Sequence, residues 1–218
     1  MNIFLTGGSR GIGLAIKNKF ESEKHKVFAP SKVELNLLDF NTINKYSESF
    51  TEDIDVLINN AGVNNISNLE DLDIFNIANT LQVNTIAPLL LIKNLSKNMI
   101  KNKKGHIINI SSILSYIPKK GRTTYSASKA ALDSITRTCA LELKEHNIQV
   151  NSICPGYVET ELTYKNNSPE QIEEIKNSMA IKRLLKPEEI AEEVYKLALN
   201  KNATGQIISV DGGLSSVN

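Results

Sequence analysis

The sequence predicts a doubly wound α/β fold, in which a parallel sheet of about seven strands carries helices on both faces. Short β-branched or apolar runs alternate with longer segments of helical periodicity, the pattern of a parallel sheet covered by its own crossover helices. A glycine cluster, Gly7-Gly8 with Gly11 and Gly13, lies directly between the first such run and the first helical segment. The composition is that of a globular chain: 218 residues, 41% hydrophobic and 22% charged. That is enough chain for one sizeable core, without the low hydrophobicity of a disordered protein. No internal repeat or interdomain linker interrupts it, so residues 1–218 are expected to form a single domain.

Taken in order, Ile3-Phe4-Leu5 places the first strand at 2–6, and the helical segment Gly11–Glu23 follows the glycines. Strands are expected next at 26–30 and 33–37. Only Ser31 and Lys32 separate these two, too few residues for a parallel crossover helix. The connection between strands two and three is therefore shortened, or one of the two is not a strand. The helix Phe40–Ser49 leads to a strand at 54–58, and a long helical segment, Glu70–Met99, to a strand at 105–111. Thr123–His146 reads as a helix before a strand at 148–154. Pro187–Asn200 reads as a helix with its proline suited to the first turn, and a last strand covers 206–210. Residues 163–186, polar and bounded by Pro155-Gly156 and Pro187, read as an excursion from the sheet and a candidate substrate lid.

Several function classes drop out. Twenty-five basic residues against 24 acidic leave a formal charge of +1, which supplies no global field for nucleic acid or anionic lipid. The apolar stretch from Ile86 to Ile92 is broken by Pro88 and closed by Lys93, short of the roughly 20 residues a membrane span needs. The N-terminus enters a strand at once, with no leader-like segment. Cys139 and Cys154 form neither a disulfide framework nor a zinc pattern, which fits a reducing cytoplasm. His25, His106 and His146 lack ligand spacing, so no metal site is expected. Lys101, Lys103 and Lys104 suit a solvated helix end, with contact to an acidic carrier protein as the sharper alternative.

Chemistry concentrates in two places. Thr6-Gly7-Gly8-Ser9-Arg10-Gly11-Ile12-Gly13 turns a strand into a helix, a setting in which glycines let the backbone approach a pyrophosphate at a helix N-terminus. Tyr125 and Lys129 lie four apart at the start of a helix and share one face. A free tyrosine titrates near about 10. A neighbouring ammonium favours the phenolate, so Lys129 is expected to tune Tyr125 for acid–base work.

Further segments fall in a fixed order: Asn59-Asn60-Ala61-Gly62 after a strand, Asn84 in mid-helix, and Ser112 closing Ile107-Ile108-Asn109-Ile110-Ser111-Ser112. After Tyr125-Ser126-Ala127-Ser128-Lys129 come Pro155-Gly156 with Thr160, and Gly205 to Gly213. From Thr6 to Gly213 the chain resembles the short-chain dehydrogenase/reductase superfamily, and within it the bacterial 3-oxoacyl-(acyl-carrier-protein) reductases. The resemblance implies a Rossmann-type domain that binds a nicotinamide dinucleotide and oxidises or reduces an alcohol or carbonyl. It assigns Tyr125 as proton donor and Ser112 as the residue holding the carbonyl oxygen. Lys129 would also bond the nicotinamide ribose. Asn84 would kink its helix and support a water-linked proton path to Lys129. Ser112 rather than Ser111 takes the role, being thirteen residues before Tyr125 and on the other face of the strand from Ser111.

By the same resemblance, Gly7, Ser9, Arg10, Gly11, Ile12 and Gly13 hold the cofactor, with Asn60, Ala61 and Gly62 on its adenosine side and Asn36-Leu37 beside adenine. Pro155 and Gly156 pass the nicotinamide, and Val158 and Thr160 bond its carboxamide. Asn59 braces the central strands. An NAD site places an acid about 20 residues after the glycine turn. Here that place reads Ala29-Pro30-Ser31-Lys32, and Lys32 with Arg10, Ser9 and Ser31 suits a 2′-phosphate, so NADP is favoured over NAD. Glu34 is the nearest acid that would reverse this. The expected substrate is a 3-oxoacyl thioester, carried on an acidic carrier protein. The shortened connection and His146, at a place where such reductases often carry arginine, leave a sugar or other small hydroxy-ketone as a second class. A dinucleotide-sensing scaffold without turnover is a third reading, against which the complete set Asn84, Ser112, Tyr125 and Lys129 argues. The family also implies a homo-tetramer or homo-dimer joined through the helices at 70–99 and 123–146.

Overall fold

The computed structural model describes residues 1–216; Val217 and Asn218, the end of the expected domain, lie outside the described residues. Its strands are β1 (Asn2–Leu5), β2 (Lys26–Phe28), β3 (Val56–Asn59), β4 (Gly105–Ile110), β5 (Ile148–Pro155) and β6 (Ile207–Val210). They form one sheet in the order β2-β1-β3-β4-β5-β6, with every neighbouring pair parallel. The helices are α1 (Gly11–Ser22), α2 (Phe40–Ser49), α3 (Ile74–Leu81), α4 (Ala87–Asn102), α5 (Thr123–Glu142), α6 (Glu161–Lys165), α7 (Pro169–Ser178) and α8 (Pro187–Leu199).

Strand alternation sorts the core into two layers. Ile3, Leu5, Val56 and Ile58 meet Ile16 and Phe20 of α1 and Ile190 and Val194 of α8. On the other face Phe4, Leu57, Ile107 and Val150 meet Ile43 of α2, Leu91 and Leu95 of α4 and Cys139 of α5. A side chain this size contributes about 1.5–3 kcal/mol when fully buried, and most of these are at 0–1% exposure. The chain reverses direction across the sheet at β1, so the carboxyl ends of β1 and β3 border the crevice where such sheets bind ligands.

The sheet has six strands among the described residues, not about seven, because 33–37 is not a strand. Leu35 N–H donates to the Ser31 carbonyl (2.9 Å) and Ser31 N–H to Glu34 Oε2 (2.8 Å), closing a turn. Val33 is 93% exposed and only Leu35 of this segment is buried, so its apolar alternation has no neighbouring strand to pair with. Helix α2, capped by Asp39 accepting from Asn41 N–H (2.9 Å), is itself the crossover from β2 to β3.

The helix expected at 70–99 begins only at Ile74, where Asp73 caps by accepting from Asn76 N–H (2.9 Å). A π turn at Gln82–Ile86 then joins α3 to α4. Together they make a 29-residue helical stretch, Ile74–Asn102, long and apolar enough by length and composition to cross a bilayer. Reading only the apolar run from Ile86 to Ile92 missed this. The stretch packs against α2 and α5 and buries Thr80, Asn84 and Ser96, as a core helix does. The helix expected at 123–146 ends at Glu142, followed by a 3-10 turn, Lys144–His146, that closes on Asn147 in the left-handed region (φ 54°). The segment 163–186 holds the end of α6 and all of α7, which starts on a capping box between Ser168 and Gln171 with Pro169 in its first turn.

Candidate active site

The turn after β1 and the loop after β3 are tied together before any ligand is considered. Thr6 Oγ1 accepts from Asn60 N–H and Ala61 N–H (both 3.1 Å), and Asn60 Nδ2 donates to the carbonyls of Thr6 and Gly7 (both 3.0 Å). Gly7 has φ +70°, and a Cβ there would lie 2.9 Å from Ala61 Cα. At Gly13 a Cβ would fall 2.0 Å from the Gly7 carbonyl oxygen, so no side chain fits between turn and helix. Arg10 is the N-cap of α1 and makes no side-chain cap bond, which leaves first-turn N–H groups facing a concavity. A close-packed glycine turn with unspent amides at a helix start is the environment a pyrophosphate requires.

Across from it, Pro155-Gly156 ends β5, and a Cβ on Gly156 would lie 2.7 Å from Asp211 Cα. Thr160 caps α6. Between these walls is a cleft of about 650 Å³. It is lined by every residue expected at the cofactor, from Gly7 through Thr160, and by Ser112, Tyr125 and Lys129; Asn84 lies outside the lining.

Ser112 Oγ accepts from Leu114 N–H (3.2 Å) and lines the same cleft as Tyr125. Burial pushes the Tyr125 pKa up, while Ser112 and the Arg122 charge oppose the rise. Lys129 is 3% exposed and donates to the Ile110 carbonyl (2.8 Å), with Nζ 5.8 Å from the Tyr125 ring centre. Burial lowers its pKa to about 8, against the pull of Asp133. Arg122 is a second cation acting on this phenol, beside the Lys129 expected from the sequence.

Asn84 sits in the π turn, fully buried. Its Nδ2 donates to the Val63 carbonyl (2.9 Å) and Ser128 Oγ (3.0 Å), and its Oδ1 accepts from Val63 N–H (2.9 Å). Its side-chain bonds do not include Lys129. Both groups face Gly62, where a Cβ would meet Asn84 Oδ1 at 3.4 Å and Lys129 Nζ at 3.6 Å. Ser111 points elsewhere, donating to the Lys129 carbonyl (3.3 Å). Asn59 bonds Asn109 Oδ1 (2.9 Å) between adjacent strands.

Sequence reasoning missed three charged groups here. Arg122 lines the cleft at 4% exposure, with Nη1 on Asn64 Oδ1 (2.8 Å). Lys119, whose pKa falls through burial and the nearby Arg122 charge, bonds the Tyr157 hydroxyl. Glu161 reaches across the mouth to Arg10 (2.8 Å). The signal available for Arg122 was a cation at the very start of a helix, where the dipole opposes it. Around the far end of the cleft, Lys32 is exposed and makes no ion pair among the described residues. Glu34 is turned back onto Ser31, which holds its carboxyl below the usual range, and it does not line the cleft.

A family model described as enoyl-(acyl carrier protein) reductase matches residues 39–215. The chain is 33% identical to the 3-oxoacyl-(acyl-carrier-protein) reductase of Aquifex aeolicus, over 96% of this chain and 95% of that protein. It superposes on a structure described as a short chain dehydrogenase/reductase family protein (TM-score 0.90, 27% identity, 99% and 97% of the two chains). A putative gluconate 5-dehydrogenase from Beutenbergia cavernae with bound NADP superposes with TM-score 0.94 at 26% identity, over 99% and 96%. A 4-hydroxyisoleucine dehydrogenase mutant complexed with NADH and succinate does so with TM-score 0.94 at 27% identity, over 99% of each chain.

Proposed function

Because the chain belongs to the short-chain dehydrogenase/reductase family, we propose that it interconverts a carbonyl and an alcohol with NADP(H), using Tyr125 as its proton donor and acceptor. The observation that carries this reading is that Ser112, Tyr125 and Lys129 line one cleft with the glycine turn, Lys129 Nζ lying 5.8 Å from the Tyr125 ring centre. Bound in that cleft, the nicotinamide cofactor supplies the hydride for reduction.

The chain's own groups handle the proton. Ser112 Oγ and the Tyr125 hydroxyl hold the substrate oxygen, and as negative charge develops there Tyr125 gives up its proton to it. The phenolate that remains is favoured by the charges of Arg122 and Lys129. Lys129, with a pKa of about 8, can both carry and yield a proton near neutral pH and reaches the ribose side. Asn84 is a positioning residue that fixes the loop at Val63 to helix α5 through Ser128.

For the cofactor, the first-turn amides of α1 and Gly7 to Gly13 receive the pyrophosphate, and Asn60, Ala61, Gly62, Asn36 and Leu37 flank the adenosine. Pro155, Gly156, Val158 and Thr160 border the nicotinamide. Lys32, Arg10, Ser9 and Ser31 receive a 2′-phosphate, a choice supported by the engagement of Glu34 with Ser31. The similar structures bind either form, NADP in one and NADH in another.

The substrate we propose is a 3-oxoacyl compound, supported by the printed name of the curated relative; delivery as a thioester on an acidic carrier belongs to that reading. A sugar or other small hydroxy-ketone is the second class, supported by the gluconate and 4-hydroxyisoleucine names of similar structures. Residues 163–186 act as the lid, since Thr163, Asn166 and Asn167 line the cleft. The protein works in the cytoplasm as a homo-tetramer or homo-dimer, and exposed Ile74, Phe75 and Leu141 on the long helices support a covered face there. A panel of acyl thioesters, oxo acids and keto-sugars, followed by nicotinamide absorbance with both cofactors, tests the reading. NADPH oxidation with at least one carbonyl is expected, and inertness across the panel overturns it.

A further inference from the structure

We propose that Arg122 is a specificity residue that binds a carboxylate on the substrate, so that a short oxo or hydroxy acid, and not a neutral thioester or sugar, is what the cleft selects. This rests on the oxidoreductase reading above and puts a free acid in place of the thioester or sugar considered there.

Arg122 is held where it costs stability. It is 4% exposed, and burial lowers its pKa. As the N-cap of α5 it makes no side-chain cap bond, at a position where Ser, Thr, Asp or Asn would stabilise the helix. The helix dipole there opposes a cation. A residue that breaks three local preferences, with no carboxylate partner among the described residues, marks function.

Its surroundings are positive. The contact from its guanidinium is a neutral one, Asn64 Oδ1 at 2.8 Å, and no carboxylate pairs with it among the described residues. The groups that act on it are the phenols of Tyr157 and Tyr125, and Lys119 adds a like charge nearby. Glu174 acts on Lys119 and lines a separate cavity of about 270 Å³ that does not include Arg122. Lys129 Nζ lies 5.8 Å from the Tyr125 ring centre. An anion entering this end of the cleft meets cations and spare guanidinium N–H donors in the fork that matches a carboxylate. Because Arg122 lies three residues before Tyr125 in the chain and lines the same cleft, the carboxylate it holds belongs to the same small molecule as the reacting carbonyl.

The test uses matched pairs assayed with NADPH and NADH: 2-oxobutanoate and 3-oxobutanoate, each against its ethyl ester. Wild type is expected to favour the acids in kcat/KM by roughly 10- to 100-fold, carried by KM, as a charge-assisted contact implies. The preference should shrink at high salt. Arg122→Gln should bring the acid-to-ester ratio near one, and Arg122→Lys should recover part of it. The ratio is the readout because any effect of Arg122 on Tyr125 is common to both members of a pair. Should the Gln variant not fold, the wild-type ratio at low and high salt decides. A wild type that prefers the esters, or a Gln variant with the wild-type ratio, overturns this assignment and leaves the oxidoreductase reading standing. Inertness toward both members of each pair, with thioesters and keto-sugars also unreduced, overturns both.

Discussion

Asn84 Nδ2 donates to Ser128 Oγ at 3.0 Å, and that hydroxyl donates to the Tyr125 carbonyl at 2.7 Å. The π turn widens the helix by one residue at the point where an ordinary turn would carry this amide along the helix surface. Thr85 Oγ1 adds a second bond to the Ser128 carbonyl (2.9 Å). The first turns of α5, which present both Tyr125 and Lys129, are therefore fixed from behind by a buried polar link.

Tyr125→Phe keeps the ring in its half-buried place and removes the hydroxyl. Turnover should fall by at least about 10²–10⁴-fold, the usual worth of a positioned acid, while cofactor binding stays measurable by fluorescence titration. A variant with near-normal turnover would show that the proton comes from elsewhere.

Lys32 governs cofactor choice if its ammonium meets a 2′-phosphate. Charge-assisted bonds worth roughly 1.5–3 kcal/mol each should make NADPH bind much more tightly than NADH in wild type. Lys32→Ala should weaken NADPH more than NADH, and Lys32→Asp should tilt the preference further by repelling the phosphate. Equal losses for both cofactors would mark Lys32 as a solvated surface charge.

Glu161 competes for Arg10. The pair is about 70% exposed on each side, so breaking it costs little stability, roughly 0–1 kcal/mol. Glu161→Gln frees Arg10 and removes an acid from the cleft mouth, and NADPH affinity should rise by roughly threefold to tenfold with a smaller gain for NADH. Calorimetric titration of both cofactors reads this; a loss of NADPH affinity would mean that Glu161 organises the site.

His106, 4% exposed, meets Asn151 Nδ2 at Nε2 (3.0 Å), and burial holds its pKa down to about 4. The unfolded chain binds the extra proton first, so its contribution is fully present above pH about 6.5 and is lost as pH falls toward 4, about 3 kcal/mol in all. Urea unfolding at pH 7, 5.5 and 4.5 should show this slope, flattened in His106→Gln. A variant with the wild-type slope would assign the acid sensitivity to other groups.

The features legible in the sequence were those whose cause is local. Gly7 and Gly13 could be read because a turn that admits no Cβ demands glycine wherever it occurs. Helix α8 was legible from Pro187 in its first turn. Helix α7 was equally available, since Ser168-Pro169-Glu170-Gln171 spells a capping box, yet the polarity of the segment masked it. Val33, Leu35 and Leu37 alternate like a strand, and only the absence of a neighbour for them, a fact of the whole sheet, makes them a turn. The Arg10–Glu161 bridge joins residues 151 positions apart, and no local pattern announces such a pairing.

Strand β2 ends the sheet with three residues, Lys26–Phe28. Lys26 holds its ammonium 4.5 Å over the Phe28 ring and 3.2 Å from Glu52. A border this short, with a charge fastened on it, gives an incoming chain few backbone groups to copy and a desolvation cost for trying. Fibril growth by strand addition is therefore discouraged at this side of the molecule, and crowded solutions should be tolerated there without any covering helix.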